Sequence, residues 1–341
     1  MTTPMANREI FGQDPDGKSV YRVGLEGGGL TASILTWGAI VQDLRMEDVP
    51  FPLVLGFSEF DNYLHHSPYF GATAGRFANR IAKGQVSING KRHQLDTNFL
   101  DKHTLHGGSK GIGKRNWSIT DLGTSHVDLE LTDHDGEMGF PGTCTITASI
   151  SLKEPGILHI VYVTRSDADT IAGLAHHSYF NLGGGETILD HALQIHADHY
   201  LPVTDELIPT GEVASVGGTP FDFRGIKRID QDLSQGLIYD HNFCLADKRR
   251  NLQQVAHVSC PASRISMSVA TTEPGLQFYA GHKVSTPVPG LTGVPYGAHS
   301  GFCLEAQNWP DAPNQDGFPS ALLKKGEEFR QVTQYCFSQS S

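Results

Sequence analysis

Five short polar segments combine side chains that can move protons with side chains that can hold hydroxyl groups. They are Gly75-Arg76-Phe77-Ala78-Asn79-Arg80-Ile81, Leu105-His106-Gly107-Gly108, His176-His177-Ser178-Tyr179-Phe180-Asn181-Leu182, Tyr239-Asp240-His241-Asn242-Phe243 and Phe302-Cys303-Leu304-Glu305-Ala306-Gln307-Asn308. In the last of these Glu305 interrupts an otherwise apolar run, a costly place for a carboxylate unless it has partners or a task. A carboxylate and an imidazole near neutrality can serve as a base and an acid, since their ordinary pKa values of about 4.3 and about 6.5 bracket a common window. Plainer readings stand beside this one. Arg76 and Arg80 can pair with surface acids, a single Glu in a strand can face water, and His-Gly-Gly alone is a turn.

Other chemistries find no support. The paired and scattered histidines (His65-His66, His176-His177, His191, His196, His199) form neither HExxH nor a Cys/His zinc set. Asp133-His134-Asp135-Gly136 lacks the spaced acids of a calcium loop. There is no GxxxxGK[ST] phosphate loop and no GxSxG elbow. The expectation is therefore no metal and no cofactor.

The chain of 341 residues carries a formal charge of −11, which disfavours nucleic acid and anionic membrane as partners. The N-terminal MTTPMANREIFGQDPDG has no basic region leading into an apolar run, and no stretch approaches the ~18 apolar residues of a membrane span. Five scattered cysteines, Cys144, Cys244, Cys260, Cys303 and Cys336, form no CxxC pair and no disulfide framework. Reduced thiols in a cytoplasmic protein are the simplest expectation.

The elements that must position these segments read as strands. Apolar residues alternate at Leu30/Ala32/Ile34, Val86/Ile88, Val127/Leu129/Leu131, Ile146/Ala148/Ile150/Leu152 and Ile265/Met267/Val269, and a dense run covers Ile157 to Val163. Asn89-Gly90 predicts a two-residue hairpin turn returning through Lys91 to Leu95. Glu154-Pro155-Gly156 and Glu273-Pro274-Gly275 end further runs. Only Phe57 to His66 suggests a short helix, with Ser58 as its cap. High glycine with 18% charged residues suits an all-β chain with many turns, an antiparallel sandwich or barrel. The irregular stretch Ala197 to Leu237, with Pro202, Pro209 and Pro220, predicts a structured loop that carries function. The whole chain, 1–341, is expected to be one domain.

Together the segments resemble the aldose 1-epimerase family, the galactose mutarotases. GRFANRIAKG, LHGG, HSYFNL, LPVTDELIPTG, DHNF, PGLQFY and LEAQNWPDAPNQ occur in the family's order from about Gly71 to Phe337. The resemblance implies a large antiparallel β-sandwich with the sugar in a cleft on one face. It implies His177 as general acid, Glu305 as general base, His106 as a second imidazole near the ring oxygen, and Asn79, Arg80, Asp240 and Gln277 as sugar contacts, with Tyr179 lining the cleft. His176 stands where the family usually has Asn, which adds a second titrating group beside His177. The implied activity interconverts α and β anomers of free hexoses such as galactose and glucose, with acid and base on opposite sides of the hemiacetal. On this view the acidic limb of the rate reports Glu305 and the basic limb the imidazolium. The alternatives are a hexose-phosphate 1-epimerase, which needs a clustered basic pocket, and a non-catalytic sugar-binding module, which would lack the acid or the base. The expected partner is a small sugar, and the expected assembly a monomer or homodimer.

Overall fold

A computed structural model of the chain describes residues 7–233 and 236–340. The alternating runs form the expected strands. Leu30–Leu35, His126–Asp133, Cys144–Lys153, Ile157–Ser166 and Ile265–Thr271 all bury alternate side chains against apolar neighbours. Asn89 and Gly90, at φ 52° and 78°, turn Gln85–Ile88 back into Lys91–Gln94. A helix is present at Phe60–His65, but its N-cap is Glu59 and not Ser58. Glu59 holds extended backbone without a side-chain cap bond, and the turn begins where Phe60 and Tyr63 bury one face.

The strands assemble into antiparallel sheets. A nine-stranded sheet runs from Ser118–Leu122 through Cys144–Lys153, Ile157–Ser166 and Glu328–Gln339 to Lys227–Arg228. A five-stranded sheet contains Ala214–Ser215, His199–Tyr200, Asp240–Cys244, Gly275–Tyr279 and Cys303–Gln307, in that order. A four-stranded meander, Asn7–Gln13 to Ile40–Met46, covers a further edge of the core. One apolar cluster joins Phe243, Leu276, Phe278, Leu304 and Ala306 of the five-stranded sheet to Val258, Met267, Val269, Tyr335 and Phe337 of the nine-stranded one. Polar ties cross the same boundary: Tyr335 donates to the Leu304 carbonyl at 3.0 Å, and Gln331 donates to the Leu174 and Ala306 carbonyls. This is a sandwich. Because neighbouring residues alternate faces, the side of the five-stranded sheet turned away from this core presents Asp240, Gln277, Cys303 and Glu305.

The five cysteines are all unpaired thiols. Among the described residues no helix is long and apolar enough to cross a membrane. Ser234 and Gln235 of the long Ala197–Leu237 stretch lie outside the described residues, as do the first six residues.

Candidate active site

Three ladders bring distant residues together. Gln277 and Glu305 are direct cross-strand partners, as are Asn242 and Gln277, so a row of polar side chains crosses the five-stranded sheet. Gln277 donates to Asp240 Oδ1 at 2.6 Å, and Arg80 reaches Asp240 Oδ2 at 3.4 Å. The second ladder is the two-residue pair Arg80–Ile81 and Thr104–Leu105. Just outside it, Asn79 and His106 adopt left-handed backbone at φ 63° and 51°. They lock each other: the His106 amide donates to the Asn79 carbonyl at 3.0 Å, and the Asn79 amide donates to His106 Nδ1 at 3.2 Å. In the third ladder His177, at the end of Ala175–His177, pairs with Ala72.

His177 Nε2 lies 3.5 Å from Glu305 Oε2, and the His106 and His177 rings are 5.1 Å apart. Asn79, Arg80, His106, His177, Gln277 and Glu305 are all buried. Among the described residues, Glu305 Oε2, Arg80 Nε and Gln277 Oε1 have no hydrogen-bond partner. Arg80 and Gln277 meet at Asp240 and Gln277 pairs across the strands with Glu305, so these atoms lie on neighbouring side chains and are open to further polar partners. Leu201, Val203, Leu207 and Pro209 of the long loop pack beside Asn79, Arg80, Asp240 and Gln277.

Burial controls the protons. Desolvation, above all, lowers His177 to about 4, and it raises Glu305 well above the usual carboxylate range, with the Asp240 charge adding to the rise. These directions predict the reverse of the expected assignment of the two pH limbs: the acidic limb would be a second proton reaching His177, and the basic limb loss of the proton from Glu305. His106 is held well below its ordinary value by burial and then by the neighbouring His177. His176 precedes His177 in the strand Ala175–His177. Its side chain points to the opposite face, bonds Ser178 Oγ through Nε2 at 2.7 Å and is lowered by burial to about 3. The neighbouring His177 adds to that lowering.

Tyr179 packs directly against the imidazole of His177. Its ring stacks on His177 at 5.1 Å and 23°, and its hydroxyl already donates to the Pro68 carbonyl at 3.0 Å. It backs His177. Arg76 is structural, with a side chain that donates to Asp133 and to the Pro141 and Gly142 carbonyls. Three neighbours escaped the sequence reading. Tyr69 lies 4.7 Å from the His106 ring and 5.9 Å from the His177 ring, Phe99 sits under the Arg80 guanidinium at 4.8 Å, and Cys303 Sγ is 3.6 Å from His177 Nδ1. Cys303 was within reach of the period-2 rule, being two residues before Glu305 on the same strand.

His106, His177 and Glu305 each place one possible ligand atom within 4.8 Å of the others, close enough to consider a metal. The donor set argues otherwise. The Asn79 amide occupies the Nδ1 lone pair of His106, so the neutral ring carries its proton on Nε2 and offers a donor where a metal needs a lone pair.

An antiparallel sandwich that brings a buried carboxylate and a buried imidazole within 3.5 Å of each other defines a protein with a candidate proton-transfer site. The particular family follows from sequence. The sequence model described as aldose 1-epimerase matches residues 21–336, and the chain belongs to that family of isomerases. It is 41% identical to the galactose mutarotase of Homo sapiens over 97% of this chain and 98% of the other. It is 34% identical to the aldose 1-epimerase of Escherichia coli over 95% and 96%. Among solved structures, the galactose 1-epimerase of Lactobacillus acidophilus superposes with a TM-score of 0.85 at 29% identity, covering 98% of this chain and 99% of the other.

Proposed function

We propose that this chain is a mutarotase that interconverts the α and β anomers of free hexoses such as galactose and glucose, using Glu305 and His177 as its proton-transfer pair. The observation that carries the reading is the 3.5 Å separation of His177 Nε2 and Glu305 Oε2 with the carboxylate oxygen otherwise unbonded. The hydroxyl oxygen and the ring oxygen of a hemiacetal hang from the same carbon. An acid and a base 3.5 Å apart are close enough to serve both.

The proton balance closes within the pair. One member takes the proton from the C1 hydroxyl while the other gives a proton to the ring oxygen, and the C1–O5 bond breaks to leave the free aldehyde. Rotation about C1–C2 followed by the reverse transfers forms the other anomer, and the pair ends with the single proton it began with. At rest the single proton sits on Glu305; its shift to His177 Nε2, 3.5 Å away, leaves Glu305 ionised as the base and His177 as the acid. His106 donates from Nε2 to a substrate oxygen. Arg80, Asp240, Gln277 and Asn79 hold the other hydroxyls, the charged groups most strongly. We read the chain as a single domain, monomer or homodimer, working in the cytoplasm on a small sugar. The unpaired cysteines support that compartment, and the apolar cluster shared by the sheets supports the single domain.

Polarimetry of freshly dissolved α-anomers across a panel of hexoses and pentoses tests the reading. Acceleration of at least one free sugar is expected; a panel with none accelerated overturns it.

A further inference from the structure

His177 is asked to give and regain a proton at Nε2 without turning, and the side chain touching its other nitrogen is a thiol. We propose that Cys303 is a positioning residue for His177: its thiol partners Nδ1 in every protonation state of the ring and so keeps Nε2 aimed at Glu305 and the cleft. This rests on the reading of His177 and Glu305 as the proton-transfer pair.

Four observations support it. Cys303 Sγ lies 3.6 Å from His177 Nδ1, within the range of a sulfur hydrogen bond. Cys303 is fully buried, so water does not compete for the same nitrogen. The Tyr179 ring stacks on His177 and fixes the plane of the imidazole, leaving rotation within that plane to be set by what meets Nδ1. Cys303 and Glu305 share one face of one strand, so a single rigid element carries both the base and the support of the acid.

The chemistry of a thiol suits the task. It is a weak donor and a weak acceptor, so S–H can face a bare Nδ1 and the sulfur can accept from Nδ1–H. A carboxylate in that place would favour the imidazolium and bias the pair toward one arrangement. Burial, together with the charges of Glu305 and Asp240, pushes the Cys303 thiol well up, which keeps it neutral. Neutral, two-way support lets His177 take the proton from Glu305 and give it back without turning.

The test uses Cys303→Ala, Cys303→Val and Cys303→Ser in the full chain. Mutarotation gives kcat, KM and the pH profile, and 15N shifts of the His177 ring in the sugar-free protein give its protonation midpoint. In the Ala and Val variants kcat should fall about three- to tenfold, the scale of one lost hydrogen bond, with KM within about twofold. The ring's midpoint and the acidic limb should both move to lower pH, because the imidazolium loses more than the neutral ring when its acceptor goes. The Ser variant should restore kcat and midpoint toward wild type. Val fills the space without offering a partner, so recovery by Val and not by Ser would assign Cys303 to packing and overturn the proposal. An unchanged midpoint in all three variants would overturn it too. The wild-type rate separates the two readings. If the wild type accelerates no sugar the proposed function fails, whereas the ring's midpoint tests the Cys303 contact independently of turnover.

Discussion

At the scale of single residues the site is a shared proton between two groups stripped of water. Replacing Glu305 by Gln keeps the shape and can still hydrogen-bond, but the amide cannot take the C1 hydroxyl proton. Turnover should fall by about 10²–10⁴-fold, the usual worth of a positioned acid or base, while KM changes far less because Arg80, Asp240 and Asn79 remain. Initial mutarotation rates decide it, and near-wild-type turnover would remove Glu305 from the mechanism. The protonation order gives a second prediction. With His177 lowered to about 4, its ring in the sugar-free protein should be neutral at pH 6 to 7 by 15N NMR. An imidazolium there would mean that the proton rests on His177 and Glu305 is ionised. Glu305 stood out in the sequence as a carboxylate in an apolar run, whereas His177, beside His176, was picked out only by the resemblance of its HSYFNL segment to the family. The proton order was not legible, since it depends on how little water reaches the pair, a property of the assembled sheet and not of any motif.

At the scale of elements, the site depends on close backbone approaches that only glycine permits. Gly107 has φ 82°, and a Cβ placed there would lie 1.9 Å from the Gly75 carbonyl oxygen. The residue before it, His106, is itself in left-handed backbone and bonded to Asn79. Gly107→Ala should therefore force apart the loop that carries His106 and the segment that leads to Asn79 and Arg80. Lower kcat and a lower thermal midpoint are expected together, and a variant with both unchanged would show that the loop can move without cost. Strand identity was readable because period-2 burial leaves a trace in sequence, as in Cys144–Lys153, and the Asn89-Gly90 turn has few other uses. The pairing Arg80–Ile81 with Thr104–Leu105 was not readable: two residues are too short to show a period, and their partner is chosen by tertiary contact. The same holds for the helix start, where burial of Phe60 and Tyr63 outweighed the capping preference of Ser58.

At the scale of the whole molecule, the protein encloses an unusual number of histidines, and this sets its response to acid. His106, His159, His176, His177, His191, His241, His257 and His282 are all lowered, each chiefly by burial. Such a base takes up its proton in the unfolded chain near 6.5, and in the folded chain only at lower pH. Its contribution to stability is complete above about 6.5 and is lost as pH falls toward the folded value. Asp133, Glu273 and Glu305 act in the opposite sense, because each is raised by burial and binds its proton first in the folded chain. The histidines outnumber them, so urea midpoints should drop as pH is lowered from about 6.5 toward 4. His176→Asn isolates one contributor outside the proton-transfer pair. With a folded value of about 3, His176 binds almost no proton at pH 5, whereas the unfolded residue is nearly all protonated. The asparagine variant should thus lose about 2 kcal/mol less stability than wild type between pH 7.5 and pH 5. Denaturation curves at those two pH values measure the difference directly, and parallel losses in the two proteins would show that His176 accepts its proton without leaving the fold.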